Sequence, residues 1–318
     1  MSPQSPGARL RASFLLLLVA FIWGSAFVAQ KTAFDAPADG GGESGMGVLA
    51  FTGARFLLGA LVVAPFMLAE RRRARPPEGG GVEKPGDWAR YLGIGLVLFL
   101  ASVFQQQGIV ETTVTNAGFL TAIYVPLVPV VAFLGFRRSV PPVLWPGALG
   151  CLAGAWLLTG GANAGLSALG SGDAWVLAGA LFWALHVTLV GQVVGRAGRP
   201  LTLAFGQFVA CGVLGLGGAA LVETPTWAGI MGAAPEIVYA GVLSVGVAFT
   251  LQVVAQRNMH PAGAAIILST EMVFAALAGA LLLGERLTPD QMAGAALILG
   301  CILAVEVTTA LRPAIGRG

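Results

Sequence analysis

The sequence predicts an all-α integral membrane protein: ten transmembrane helices built as two inverted five-helix repeats around a central cavity. Three observations carry that expectation. Of 318 residues, 56% are hydrophobic and only 10% charged, against roughly 25% charged in a soluble domain, so polar surface is too scarce to cover a water-soluble globule. The apolar runs are about twenty residues long and do not alternate, which selects helices over barrel strands, the two structures that satisfy backbone groups in lipid. The second half of the chain also repeats landmarks of the first in the same order.

Residues 1–12 read as a cytoplasmic N-terminus carrying Arg9 and Arg11. The apolar run behind them imitates a signal peptide, but it continues through Trp23-Gly24-Ser25 to Ala29 without a small-x-small cleavage site. It is read as a retained first span, 13–31. An outer loop with Asp35, Asp39 and Glu43 leads to the second span, 47–69. The segment 70–89 is basic and rich in Pro and Gly: a solvated topology determinant, or a site for anionic lipid headgroups. The third and fourth spans, 90–110 and 113–135, nearly touch at Glu111-Thr112-Thr113. Pro126 and Pro129 interrupt the fourth and remove two backbone donors, which gives either a static packing kink or a bend beside a binding site. A fifth span, 142–160, completes the first repeat (13–160). An outer linker, 161–172, precedes the second repeat (173–311), with spans at 173–194, 201–222, 236–256, 261–284 and 291–311. Residues 312–318 form a cytoplasmic tail.

With both termini inside, all of the 18 basic residues except Lys31, Arg286 and the intramembrane Arg55 fall on cytoplasmic segments. This is the positive-inside pattern, and it places the chain as a multi-pass protein of a bacterial-type inner membrane. The net charge of +3 is spread over short loops, not gathered on a face for nucleic acid. Cys151, Cys211 and Cys301 lie in apolar runs at spacings that fit neither a disulfide framework nor a metal site, so no cofactor or metal is expected.

The repeat is visible in pairs. Trp23-Gly24 matches Trp183-Ala184, Arg55-Phe56 matches Gln207-Phe208, Leu134-Gly135-Phe136-Arg137 matches Leu283-Gly284-Glu285-Arg286, and Gly150-Cys151 matches Gly300-Cys301. A five-helix unit crosses the membrane an odd number of times, so its second copy is inserted upside down. Inverted repeats are a transporter device, in which two halves enclose a midplane site and rock to face either side.

Trp23-Gly24-Ser25-Ala26-Phe27 with Lys31, Ala54-Arg55-Phe56-Leu57-Leu58, Glu271-Met272-Val273-Phe274 and Leu283-Gly284-Glu285-Arg286-Leu287-Thr288 together resemble the EamA-type branch of the drug/metabolite transporter superfamily over about residues 13–311. The resemblance implies ten helices, a cavity between the halves, and often export of amino acids or other metabolites. Two departures stand out: Met272 where Pro more usually follows the Glu, and Phe136 where many relatives carry a loop Glu.

An ionisable group inside the membrane is expensive and therefore a functional candidate. Glu271, roughly 15 Å into its span at 1.5 Å per residue, is a candidate proton carrier or a structural acid. His186 is a second proton-coupling candidate, or a hydrogen-bonded helix contact. Arg55 is placed to meet a substrate carboxylate, to pair with Glu271, or to snorkel outward. Within Gln105-Gln106-Gln107 the three side chains diverge around the helix, and Gln106 is taken as the pathway residue. Asn116 and Tyr124, Gln207 and Gln252 are further polar pathway candidates. Trp23 and Trp183 either wall the cavity or pack its floor.

These readings describe a secondary transporter of a small metabolite, an exporter of amino acids or related amphiphiles by alternating access, driven by protons as a coupling ion, by substrate exchange or by downhill flow. Its partners are the lipid bilayer and its cargo, and it is a monomer or a homodimer; Gly150-x-x-x-Gly154 serves either a dimer contact or packing within one bundle. No P-loop is present for ATP coupling. The alternatives are a membrane-embedded enzyme on lipid-linked substrates, for which no paired acids or activated nucleophile stand in the spans, and a non-transporting partner protein.

Overall fold

The computed structural model describes residues 6–35, 45–73, 85–137, 140, 142, 144–158, 170–197, 199–259, 261–286 and 288–311. Most of the basic 70–89 segment and of the 161–172 linker, and the 312–318 tail, lie outside them. The regular structure of the described residues is helical throughout: α1 (Pro6–Asp35), α2 (Val48–Arg73), α3 (Pro85–Glu111), α4 (Val114–Gly135), α5 (Leu144–Leu158), α6 (Ser171–Ala197), α7 (Pro200–Val222), α8 (Ala234–Gln256), α9 (Pro261–Leu268 continued by Glu271–Leu282) and α10 (Pro289–Leu311). Eight of these are long and apolar enough to cross a membrane; α5 and α10 carry shorter apolar stretches, Leu144–Gly154 and Pro289–Val305. Large apolar side chains such as Phe14, Phe21, Leu61, Phe66, Leu221 and Leu281 stand exposed on the outside, where lipid rather than water is the solvent that suits them.

Three expected spans are not continuous helices. Helix α4 breaks at Ala122–Ile123. Pro126 has no N–H for the carbonyl of Ala122 and its ring crowds that carbonyl, which instead accepts from Val125 N at 2.9 Å. The helix resumes at Tyr124 and ends in a wide π turn over Val131–Gly135. Helix α9 breaks at Ser269–Thr270 without a proline: both hydroxyls bond back to carbonyls one turn earlier, Ile266 and Ile267, at 2.7 Å each, a competition that bends helices. Helix α8 is π-helical over Tyr239–Phe249. A short helix, Trp227–Gly232, capped by Thr226 Oγ1, precedes it and is absent from the sequence reading.

Packing is reciprocal. Helix α2 lies along α7 and α5 along α10, α3 packs on both α6 and α7, α8 on both α1 and α2, and α1 and α4 contact α9 and α6 respectively. Gly24 lets α1 approach α9 closely: a Cβ there would stand 2.6 Å from Glu271 O and 2.8 Å from Ala275 N. Gly150 and Gly154 face Cys301 and Ile298 of α10, so this pair of glycines serves packing within the bundle.

Carboxylates tie the helices together at their ends. Glu223, after α7, accepts from Leu49 and Ala50 N at the start of α2 (2.8 and 2.9 Å). Glu70, near the end of α2, accepts from Leu201 N, Thr202 N and Thr202 Oγ1 at the start of α7 (3.2, 2.8 and 2.9 Å). Glu285, after α9, accepts from Val114 N, Thr115 N and Thr115 Oγ1 at the start of α4. Each supplies the acceptor that unbonded N–H groups of a first helical turn require, and a negative charge where the helix dipole favours one.

Candidate functional site

The broken and π-helical segments converge on a small cavity. One wall is aromatic. Trp183 of α6 and Phe249 of α8 lie nearly parallel, 5.8 Å apart and inclined by 18°, and Trp23 of α1 stands 4.5 Å from Phe249. Trp23 is held by its Nε1, which donates to Ser244 O at 3.2 Å. Both Ser244 and Phe249 belong to the π-helical part of α8, a geometry that recurs at functional sites.

The opposite side is polar. Arg55 of α2 donates through Nη1 to Gln30 Oε1 at 2.5 Å, and its guanidinium sits 5.4 and 5.2 Å from the ring centres of Phe51 and Phe56. Gln30 is fixed in turn by its Nε2 to Ala26 O, while Gln106 Nε2 donates to Gln30 O at 3.0 Å. Gln105 Nε2 donates to Thr121 Oγ1 at 2.9 Å, and that hydroxyl donates to Ala117 O. Tyr124 OH reaches Ala265 O at 3.3 Å across the two broken helices.

Tyr124 and Glu271 each start the second piece of a broken helix, and both line the cavity. The Glu271 side chain receives no hydrogen bond from any described residue. Arg55 has no carboxylate within ion-pair distance among them either, so the expected Arg55–Glu271 pair is not formed. The cavity therefore holds one cation and one acid, both buried (4% exposed each) and neither paired with the other. Ionisable groups left unpaired at such depth are costly, which is the reason to expect an outside ligand to complete them.

The structure gathers Trp23, Arg55, Tyr124, Trp183 and Glu271 here and leaves other sequence candidates elsewhere. Of the glutamine triplet, Gln105 rather than Gln106 faces the cavity; Gln106 is buried behind it, and Gln107 turns outward to Glu111 Oε1 at 2.8 Å. Asn116, separated from Tyr124 by the helix break, lines a more open polar pocket of ≈ 1010 Å³ with Lys31, Glu111, Asp173 and Glu285. There Lys31 Nζ donates to Val110 O at 2.8 Å. His186, Gln207 and Gln252 are fully buried outside the cavity lining. Pro126 and Pro129 stand beyond the break at Ala122–Ile123. Besides Gln105, the lining is completed by Phe27, Gln30, Thr121, Val187, Ser244 and Phe249, and none of these six was foreseen. Gln30 had a readable signal, a polar residue within an apolar run; the aromatic ones did not, because they look like any span residue.

Two segments of the chain, residues 10–160 and 170–306, match the EamA-like transporter family. The chain belongs to that family. An uncharacterized transporter of Archaeoglobus fulgidus is 32% identical over 299 residues, covering 94% of this chain and 87% of that protein. The threonine/homoserine exporter RhtA of Escherichia coli K12 is 28% identical over 141 residues, 44% of this chain and 45% of the exporter. A protein of known crystal structure superposes with a TM-score of 0.70 at 20% identity, over 94% of this chain and 97% of that one, a likeness of fold. EamA membership and the apolar helices make this a multi-pass membrane transporter, and point away from an enzyme.

Proposed function

We propose that the protein is a secondary transporter that carries a small zwitterionic, amino-acid-like metabolite out across a bacterial-type inner membrane by alternating access, with both termini cytoplasmic. The observation that carries the cargo class is the coexistence of Arg55 and Glu271, unpaired, in one aromatic-walled cavity. A carboxylate suits the guanidinium of Arg55, an ammonium suits Glu271 and the faces of Trp23 and Trp183, and the aromatic wall accepts an apolar side chain. The name of the E. coli relative fits this class.

Ten crossings in two inverted repeats account for the reciprocal packing. Exchanging the halves turns α3·α7 into α8·α2, α4·α6 into α9·α1, and α3·α6 into α8·α1, while α2·α7 and α5·α10 map onto themselves; all of these contacts occur. The match of one family to both segments supports the same reading. In this scheme Glu271 is the proton-coupling group: it gives up its proton when the cargo ammonium arrives and takes one up when the ammonium leaves. His186 does not line the central cavity, so the scheme gives it no contact with the cargo there.

The test is transport by protein reconstituted in vesicles, with amino acids set against the same molecules lacking the carboxylate or the amine. Only the zwitterions are expected to move, Arg55→Gln to abolish their binding, and Glu271→Gln to keep exchange while losing proton-driven accumulation. Proton-dependent transport that survives in Glu271→Gln would remove the coupling role, and equal movement of simple amines would remove the cargo class.

A further inference from the structure

On the far side of the Trp183–Phe249 wall lies a second polar group of residues that the cavity does not use. His186 touches both rings edge-on, 5.8 Å from Trp183 and 6.2 Å from Phe249. Its Nε2 shares a hydrogen bond of 2.9 Å with Gln207 Oε1 of α7. Gln252 follows Phe249 by about one turn, in the Thr250–Gln256 part of α8, which packs on both α6 and α7. All three side chains are fully buried. Yet His186 Nδ1, Gln207 Nε2 and both amide atoms of Gln252 have no hydrogen-bond partner. Gln256 Oε1, one turn beyond Gln252, is also unpaired, its Nε2 being held by Val187 O at 3.2 Å.

Buried polar atoms are nearly always bonded, and every exception asks for a reason. One orphan is a packing compromise; five atoms on three adjoining helices, donors and acceptors together, are a site short of its ligand. No carboxylate, lysine or arginine belongs to the cluster, so the ligand it fits is uncharged and both donates and accepts hydrogen bonds, which is the chemistry of a hydroxyl. Gln207 lies roughly 10 Å from the first residue of α7 at 1.5 Å per residue. On the orientation proposed above, this puts the cluster on the cytoplasmic side of the aromatic wall.

We infer that His186, Gln207 and Gln252 form a second, uncharged subsite inward of the central cavity, which takes hydroxyl groups, from water or from the cargo, on the cytoplasmic leg of the transport cycle. Trp183 and Phe249 are then the partition between a charged central site and a neutral inner one. The subsite rests on the chain being a transporter and on the inward direction of α7, not on the cargo being zwitterionic.

Gln252 is the residue to change, because it bonds to nothing and its removal orphans no other group. Gln252→Met keeps the volume and removes two unpaired buried atoms, so thermal stability is expected to rise. If the cluster is only imperfect packing, transport is unchanged; if it is a subsite, transport falls at least tenfold while stability rises, and Gln252→Asn restores part of it. Threonine and its deoxy analogue 2-aminobutyrate separate the two sources of hydroxyl: a loss confined to threonine places the cargo's hydroxyl in the site, and an equal loss for both places water there. A second measurement is independent of any cargo. Gln252→Cys, in a background with Cys151, Cys211 and Cys301 replaced, is expected to react with a small polar thiol reagent in membranes. A Gln252→Cys protein that stays unreactive overturns the subsite, as does full transport by the stabilised Gln252→Met protein. Failure of wild-type protein to move any amino acid would reject the proposed cargo, while the thiol reaction still decides the subsite.

Discussion

Replacing Glu70 tests the carboxylate ties at one of the two that accept three hydrogen bonds. Its two oxygens accept three hydrogen bonds from the first turn of α7, of 2.8 to 3.2 Å. Loss of a capping acceptor costs about 0.5–2 kcal/mol. The favourable charge at a helix N-terminus adds about 0.3–1 kcal/mol where solvent reaches it, and up to about 2 where it does not. Glu70 is half-buried, so Glu70→Ala should cost about 2–3 kcal/mol. Glu70→Gln keeps one oxygen and loses the charge, for about half that. At about 2–4 °C per kcal/mol for a chain of a few hundred residues, the alanine variant should melt roughly 5–10 °C below wild type and the glutamine variant in between. Tryptophan fluorescence in detergent follows the transition, with 7 Trp to report it, at one scan rate for all proteins, because membrane proteins seldom unfold reversibly. An alanine variant melting within about 1 °C of wild type would refute the tie as a source of stability. A glutamine variant that melts with wild type would refute the contribution of charge.

Gly24→Ala should lower stability by about 1–3 kcal/mol through overpacking, since its Cβ would stand 2.6 Å from Glu271 O; the yield of monodisperse protein on size exclusion checks it. Trp23→Phe removes the bond to Ser244 O and should cost about 0.5–1.5 kcal/mol, read as a lower melting temperature. Arg90→Ala breaks the exposed 3.1 Å pair with Asp87 and should change stability by less than about 0.5 kcal/mol, so a larger drop in melting temperature would show that this pair does more than decorate the surface.

The fold was largely legible because lipid leaves a chain few choices. Long apolar runs bounded by charge had to become helices, and α3 and α4 do separate at Glu111-Thr112-Thr113. The interruptions were only half legible. Proline announces the break in α4, but the break in α9 is made by Ser269 and Thr270 bonding to their own helix, which composition does not distinguish from an ordinary pair of hydroxyl residues. The π-helical stretch of α8 has no sequence mark at all, and it decides where Ser244 and Phe249 point. Within the site, charge was the readable part: Arg55 and Glu271 are conspicuous in any apolar run. The choice of Gln105 over Gln106 was not, because one residue turns a helix by about 100° and span boundaries are uncertain by more than that. The departure at Phe136 acquires a physical meaning: at the place matched to Glu285 in the other half, it offers no carboxylate to a facing helix start.

The three glutamate ties also set an order of events during synthesis. Leu49 waits for Glu223, 174 residues later, and Val114 waits for Glu285, 171 residues later. At roughly 5–20 residues per second, the start of α2 spends about 10–35 seconds in the membrane before its acceptor is made. The first half thus leaves the ribosome with two helix starts incomplete, and only the arrival of the second half finishes them. Cutting the gene between residues 158 and 170 and expressing the pieces apart should leave the N-terminal piece short-lived, and supplying the C-terminal piece in the same cell should rescue it.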